Sequence, residues 1–476
     1  MSIGTRIYRR EHKKAYLFAS QRSFIRSLLT LVNCDEEGKL CSPYVVDYCK
    51  RPEFIYLGPD ENMLNEMILW IAKYAEEERY RPGKSFMSSK PIAGINHKEY
   101  GVTSFGVFTY LHQTLLYLGI DPTKDAFSVK ISGGPDGDVA GNEILLLATH
   151  YPNTAKLLAL TDVSGTIYDP LGLDWKEMQR LVKEGLPIRF YPAEKLHDGG
   201  FLLDLQTKKE ESAYAQQTLF VRKEAGELVR DWLSGNEMNH LFRTNVHQTP
   251  ADVFLPCGGR PRTLNDTNIQ SFLDPTGKPT ARAIVEGANL YLTPNARRAL
   301  EKLGVIVLKD SSCNKGGVIC SSFEVLAGLC LSEQEFIQEK NAYVKQVLDI
   351  IGKMCLNEAN LILDTHTQTG AFFTDVSEQI SQKINLYKYQ LLDYLESIEL
   401  SSDSAHPLIQ SLFAYCPPLL VERYQERILR IPDIHKKAII AASLASQLVY
   451  TRGLFWAPSV ADILSQVLGS VQRTRS

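Results

Sequence analysis

The chain has 476 residues, room for two or three domains with a sizeable core. Hydrophobic residues make up 44% and charged residues 22%, with a formal net charge of −3. That balance excludes a disordered chain and gives no general attraction to nucleic acid or to acidic membranes. Nine cysteines are scattered without CxxC or Cys/His metal spacing, so reduced thiols in a cytoplasmic protein, and no metal site, are expected.

The basic start, Met1–Phe18, holds no apolar run long enough for a signal peptide, and no later stretch approaches the roughly 20 apolar residues of a membrane span. From Met63 to Glu78 apolar residues recur at helical spacing behind the starting signals Pro59–Asn62. Ala126–Ser132 is a short apolar strand, followed by a glycine cluster and the helical stretch Glu143–Ala148. Ala155–Thr161 is the next strand, and Asp252–Pro256, Ala283–Glu286 and Val305–Leu308 follow, each closing on polar or glycine-rich residues. Strands alternating with helices imply a parallel sheet with ligand groups just beyond the strands' carboxyl ends. From about Phe323 onward the pattern is helical, with Ser401–Ser404 as a loop. His435–Tyr450 is alanine-rich and amphipathic, fit either to pack on the body or to form a subunit contact.

Four segments carry residues suited to chemistry. Gly133–Asn142 (GGPDGDVAGN) lies between a predicted strand and helix, where glycines let the backbone approach a pyrophosphate and the helix start offers N–H groups. Its spacing is G-x-x-G-x-x-A, one residue longer than the usual dinucleotide loop, and a plain tight turn is the alternative. Asp162 ends the next strand, where a carboxylate can accept from a ribose and repel a 2′-phosphate, favouring NAD over NADP. Alternatively it caps a turn with Ser164 and Gly165. Asp60, in Leu57–Asn62, either caps the following helix or exchanges a proton with a substrate. Asp310–Glu324 and Glu286–Asn289 follow strands and offer hydroxyls and amides, for a ligand or for turns.

In this order the strings GPDEN, KPIAG…YGVTSFGV, GGPDGDVAGNEI, DVFLPCGGRPRTLN, VEGANLYLTPNARR and KDSSCNKGGVICSSFEVLA resemble the large-type NAD-specific glutamate dehydrogenases and, more distantly, the smaller glutamate, leucine, phenylalanine and valine dehydrogenases. The resemblance runs from about residue 20 to residue 340. It implies an α/β fold, a Rossmann-like doubly wound parallel sheet. An incomplete N-terminal substrate domain would cover residues 1–100, an NAD-binding domain 101–325 and a C-terminal helical region 326–476. By the resemblance Asp60 matches the catalytic aspartate and Thr103 the threonine that bonds the nicotinamide carboxamide. Gly134, Gly137 and Ala140 match the phosphate loop, and Asp162 the ribose acid. Asn289 and Asn314 match asparagines beside the cofactor, and Ser321 the serine that bonds the substrate's side-chain carboxylate.

The implied reaction is NAD-dependent oxidative deamination of L-glutamate to 2-oxoglutarate and ammonia by a homo-oligomer. One departure qualifies it. The family's substrate lysines lie upstream of the aspartate, one in a glycine-rich motif, and the sequence begins after that point. Lys13 and Lys14 have no glycines near them. Severely impaired activity is therefore expected, and two rival readings stand: an inactive NAD-binding or regulatory remnant, and an interaction module built on the helical tail.

Overall fold

Short apolar runs set the centre of the fold. Val129 and Ile131, then Val253, Phe254 and Leu255, then Ala283, Ile284 and Val285 are fully buried. Runs this short and this deeply buried suit the strands of a covered parallel sheet. The computed structural model describes residues 10–32, 55–59, 63–212 and 215–465 and has nine strands among them: β1 (Phe127–Ser132), β2 (Ala155–Asp162), β3 (Gly165–Tyr168), β4 (Phe201–Ser212), β5 (Ala215–Glu224), β6 (Glu227–Leu233), β7 (Ala251–Pro256), β8 (Ala281–Val285) and β9 (Ile306–Leu308). Their order across one sheet is β6-β5-β4-β3-β2-β1-β7-β8-β9.

The strands expected from the sequence are β1, β2, β7, β8 and β9, and these pair in parallel. Helices connect them, among them Asp138–His150 after β1 and Pro294–Lys302 after β8, as a doubly wound sheet requires. The sheet as a whole is mixed, however. Strands β3 to β6 add an antiparallel ribbon beyond β2, which the alternation of strands and helices did not announce. Its inner turn, Ala225-Gly226, joins β5 to β6 with both residues at positive φ, 49° and 84°. That is the twist a two-residue hairpin demands.

The chain divides into two compact units. One comprises Met1–Tyr100, Val318–Gln346 and Pro418–Ile431; the other comprises Gly101–Gly317, Val347–Pro417 and Pro432–Ser476 and holds the whole sheet. In the first, the helix Asn65–Glu77 buries Met67, Ile68, Ile71, Ala72 and Ala75, a stripe at helical spacing, against Ile25, Leu29, Phe86 and Met87. The expected helix is therefore present, but its N-cap is Leu64, without a side-chain cap bond; Asp60, Glu61 and Asn62 lie outside the described residues. In the second unit, the helix Asp433–Arg452 buries Ile440, Ala441, Leu444, Ala445 and Val449 and packs on Phe373–Glu396. Ser401–Ser404 falls in a connection between helices. No helix among the described residues is long and apolar enough to cross a membrane.

Two buried titratable side chains of the second unit, Lys130 and Glu143, have contrasting surroundings. Lys130 in β1 donates to His247 O at 3.0 Å, Thr249 O at 2.8 Å and Thr280 Oγ1 at 2.7 Å, with the Phe272 ring 4.4 Å away. Burial lowers its pKa, while three acceptors and a ring face suit an ammonium. Glu143, in the helix Asp138–His150, has no such company: it is fully buried and neither carboxylate oxygen has a hydrogen-bond partner. Burial therefore raises its pKa well above the usual carboxylate range, and the folded chain holds a proton that the unfolded chain releases. The stability tied to that proton is present in full at acid pH and is lost as pH rises from the ordinary glutamate range toward the folded pKa. Glu143→Gln should accordingly stabilise the chain increasingly from about pH 5 to pH 8, at up to about 1.4 kcal/mol per pH unit. Urea denaturation of both proteins across that range measures it; a difference that does not change with pH would overturn the protonated assignment.

Candidate functional site

Parallel pairing brings the carboxyl ends of β1, β2, β7 and β8 to one edge. Ser132 pairs with Thr161 on one side and with Pro256 on the other. Beyond the strands the ladder continues through loop backbone: Gly133 N donates to Thr161 O at 2.8 Å, Cys257 N to Ser132 O at 2.8 Å, and Ala288 N to Pro256 O at 2.7 Å. The chain runs from β1 to β2 on one side and returns as β7 on the other. That makes β1/β7 the switch point where such sheets leave a crevice for ligands.

The glycine loop occupies that point. Gly133 has φ +115°, and a Cβ there would stand 2.9 Å from both Ala140 Cβ and Gly258 N. This explains a glycine at 133 and a small residue at 140, which is itself buried. Gly137 N donates to Gly134 O at 2.9 Å, closing the turn. Gly137 is also the N-cap of the helix Asp138–His150 and brings no side chain to its first N–H groups. A Cβ on Gly134 would lie 2.5 Å from Asp136 Oδ1 and 2.7 Å from Asp162 Oδ2, so two carboxylates flank the loop.

Asp162 serves the turn in the way weighed as its alternative role. Its Oδ1 accepts from Ser164 N at 2.6 Å, Ser164 Oγ at 2.7 Å and Gly165 N at 3.1 Å, and its Oδ2 accepts from Ile188 N at 2.7 Å. Burial raises its pKa, those hydrogen bonds oppose the rise, and Asp136 adds to it. Only Oδ2, beside Gly134, keeps acceptor capacity for a ribose hydroxyl.

The remaining predicted cofactor residues of this unit sit on neighbouring elements. Thr103 is half-buried in the first turn of the helix Val102–Tyr117. Next to it, Ser104 Oγ donates to Val139 O at 3.0 Å, in the first turn of the loop helix. Asn314 Nδ2 donates to Asn289 Oδ1 at 2.6 Å and to Gly287 O at 3.2 Å, joining the two asparagines as an amide pair. Behind the pair lies an ionic network that the sequence did not disclose. Arg297 Nε and Nη2 donate to Glu286 Oε1 at 2.7 Å and Oε2 at 2.9 Å, and Nη2 lies 3.0 Å from Asp310 Oδ1. Asp310 Oδ2 in turn accepts from Leu290 N at 2.7 Å. Burial pushes Glu286 up to about 7 against the pull of Arg297. Among the described residues no group of three or more His, Cys, Asp or Glu could hold a metal ion.

Ser321 belongs to the other unit, where it meets residues passed over in the sequence. Ser321 Oγ lies 2.9 Å from Ser88 Oγ and 3.4 Å from His97 Nε2, and Ser88 Oγ donates to Leu57 O at 3.0 Å. With the Ser88 proton committed to Leu57, Ser321 donates to Ser88, and His97 Nε2–H points at Ser321. Burial depresses the His97 imidazole to about 4, so it is neutral at physiological pH. Gly58, two residues before Asp60, faces both hydroxyls: a Cβ there would be 3.6 Å from Ser88 Oγ and 3.8 Å from Ser321 Oγ. Asp60 itself lies outside the described residues. Below the hydroxyls, Glu324 accepts from Ser89 N at 2.8 Å, Ile95 N at 2.8 Å and the Lys90 ammonium. Ser88 and Lys90 lie in the string SSKPIAG, but their partners stand 233 and 234 residues away, beyond any local pattern.

The arginine network gives a direct test of what holds the amide pair's loops. Arg297→Met removes the partner of two buried carboxylates, and an uncompensated buried charge costs about 3–5 kcal/mol. Urea unfolding of the variant should show a loss of that size; a loss below about 1 kcal/mol would mean that the carboxylates do not depend on Arg297.

The profile of the glutamate/leucine/phenylalanine/valine dehydrogenase family matches residues 93–378. Glutamate dehydrogenase 2 of Dictyostelium discoideum is 32% identical over 475 residues, covering 95% of this chain and 41% of that protein. A probable NAD-specific glutamate dehydrogenase of Schizosaccharomyces pombe is 32% identical over 444 residues, 90% of this chain and 37% of that protein. The chain thus spans about two fifths of the length of these relatives. Among solved structures, a hetero-hexameric glutamate dehydrogenase of Thermus thermophilus aligns at a TM-score of 0.45 and 18% identity, covering 75% of this chain and 65% of that one; a likeness this slight carries no part of the assignment. The profile, which spans more than half of the sequence, shows that this chain belongs to the glutamate/leucine/phenylalanine/valine dehydrogenase family.

Proposed function

We propose that the chain is the nucleotide-binding and C-terminal part of an NAD-dependent glutamate dehydrogenase. The observation that carries the reading is the gathering of the glycine loop and Asp162 at the β1/β7 switch point, with the Asn289–Asn314 pair beyond β8 and β9 at the same edge. The loop fits a dinucleotide: Gly137 leaves the helix start without a side-chain cap, ready for a pyrophosphate, and Gly134 leaves the space that a Cβ would fill. Asp136 and Asp162 beside Gly134 favour NAD over NADP, because a 2′-phosphate would meet two carboxylates there.

When bound, NAD would supply the hydride acceptor for the α-carbon of L-glutamate. Thr103 and the amide pair would hold the carboxamide and ribose of the nicotinamide half. On substrate binding Ser321 would turn its proton from Ser88 to the substrate's side-chain carboxylate, while neutral His97 goes on donating to Ser321 Oγ. Asp60 would accept a proton from the amino nitrogen, and later return it as water adds to the imine and ammonia leaves, giving 2-oxoglutarate. In this reading residues 1–100, together with Ser321, serve the substrate and the rest of 101–325 the nucleotide, and the protein works as a homo-oligomer.

Calorimetry with NAD and NADP, and NADH formation from NAD and L-glutamate, test the proposal on the full chain. NAD should bind more tightly than NADP. Where turnover is measurable, Asp60→Asn should lower kcat by about 100-fold or more while NAD affinity is kept. NAD binding without turnover would leave a nucleotide-binding protein and withdraw the catalytic part. The absence of NAD binding would withdraw the reading altogether.

A further inference from the structure

Lys315 stands between two pinned neighbours. On one side the Asn314 amide is bonded to Asn289 and Gly287. On the other, Gly316 packs so closely on Val102 O that no Cβ would fit. The Lys315 side chain turns instead into the helical region and pairs with Glu358, in the helix Glu333–Thr369. Glu358 is fully buried. Its Oε2 also accepts from Tyr450 Oη at 2.6 Å, in the helix Asp433–Arg452. Tyr110, on the helix that carries Thr103, completes the cluster: it is fully buried, and burial together with the Glu358 charge keeps its phenol protonated.

A carboxylate buried this deeply needs its cation, so the Lys315 side chain is not at liberty to move. Its backbone carries Asn314. We infer that Lys315 is a positioning residue for the Asn314–Asn289 pair, anchored by Glu358 and Tyr450, and that through it the C-terminal helices set the nicotinamide half of the nucleotide site. The inference rests on the nucleotide reading above and assigns the helical region a role in cofactor binding. Ser312 Oγ, two residues before Asn314, lies 2.7 Å from Ser377 Oγ in the helix Phe373–Glu396, a second tie to the helical region; Lys315 is the tie that adjoins Asn314 in the chain.

The test compares two ligands on the full chain by calorimetry: NAD, and ADP, which lacks the nicotinamide and its ribose. Lys315→Met should weaken NAD about tenfold and leave ADP within about twofold of the unaltered protein. Lys315→Arg, which keeps the charge, should recover most of the NAD affinity. Tyr450→Phe, which deletes a single hydroxyl and keeps the ion pair, should shift NAD about threefold in the same direction, so a misfolded Lys315→Met would not prevent the test. Unchanged NAD affinity in both variants, or equal weakening of both ligands, would overturn the inference alone. Failure of the unaltered chain to bind either ligand would overturn the nucleotide reading, and this inference with it.

Discussion

β1 is bonded in parallel to β2 on one side and to β7 on the other, and parallel strands can only send their loops out at a common edge. The glycine loop, the Asp162 turn and the Cys257–Gly259 segment therefore emerge side by side, though the glycine loop and Cys257 lie more than 100 residues apart in the chain. Extending the sheet to β8 and β9 brings the Glu286–Asn289 and Lys309–Asn314 segments to the same edge. Lys130 secures this centre from below, since its three acceptors come from the segment that leads into β7 and from Thr280, which leads into β8.

Buried charge fixes the loops that the sheet only gathers. Beyond the glycine loop and the Asp162 turn, the site segments are backed by ion pairs that would be costly to break: Arg297 with Glu286 and Asp310, Lys315 with Glu358, and in the other unit Lys90 with Glu324. Such pairs are weak evidence for stability, because well-packed apolar residues can replace them. Their geometry holds loop backbone in one position, as Asp310 does for Leu290 N and Glu324 for Ser89 N. Ser89 and Leu290 both have positive φ, 63° and 56°, a conformation that non-glycine residues keep only where partners impose it.

The parallel strands were legible because their signal is local: a short apolar run closed by glycine or a polar residue. The helix over Met63–Glu78 and the C-terminal helix showed their periodicity in the same way. Strands β4 to β6 were not legible, and the reason is physical. Half-exposed ribbon strands such as Glu227–Leu233 carry a mixed pattern, and the Ala225-Gly226 turn lacks the Asn-Gly or Asp-Gly pair that usually marks a two-residue hairpin.

The sequence by itself determined the glycine loop, the strand ends that carry Asp162, Asn289 and Asn314, and the family, because these depend on residues close together in the chain. Tertiary structure alone decided that Asp162 spends most of its carboxylate on its own turn, that Asn314 bonds Asn289, and that Ser321 keeps company with Ser88 and His97. It likewise decided which lysine meets which glutamate. A hydrogen bond or ion pair between residues tens to hundreds of positions apart leaves no periodicity and no spacing in the chain; it exists only once strand pairing and helix packing have brought the partners within about 3 Å.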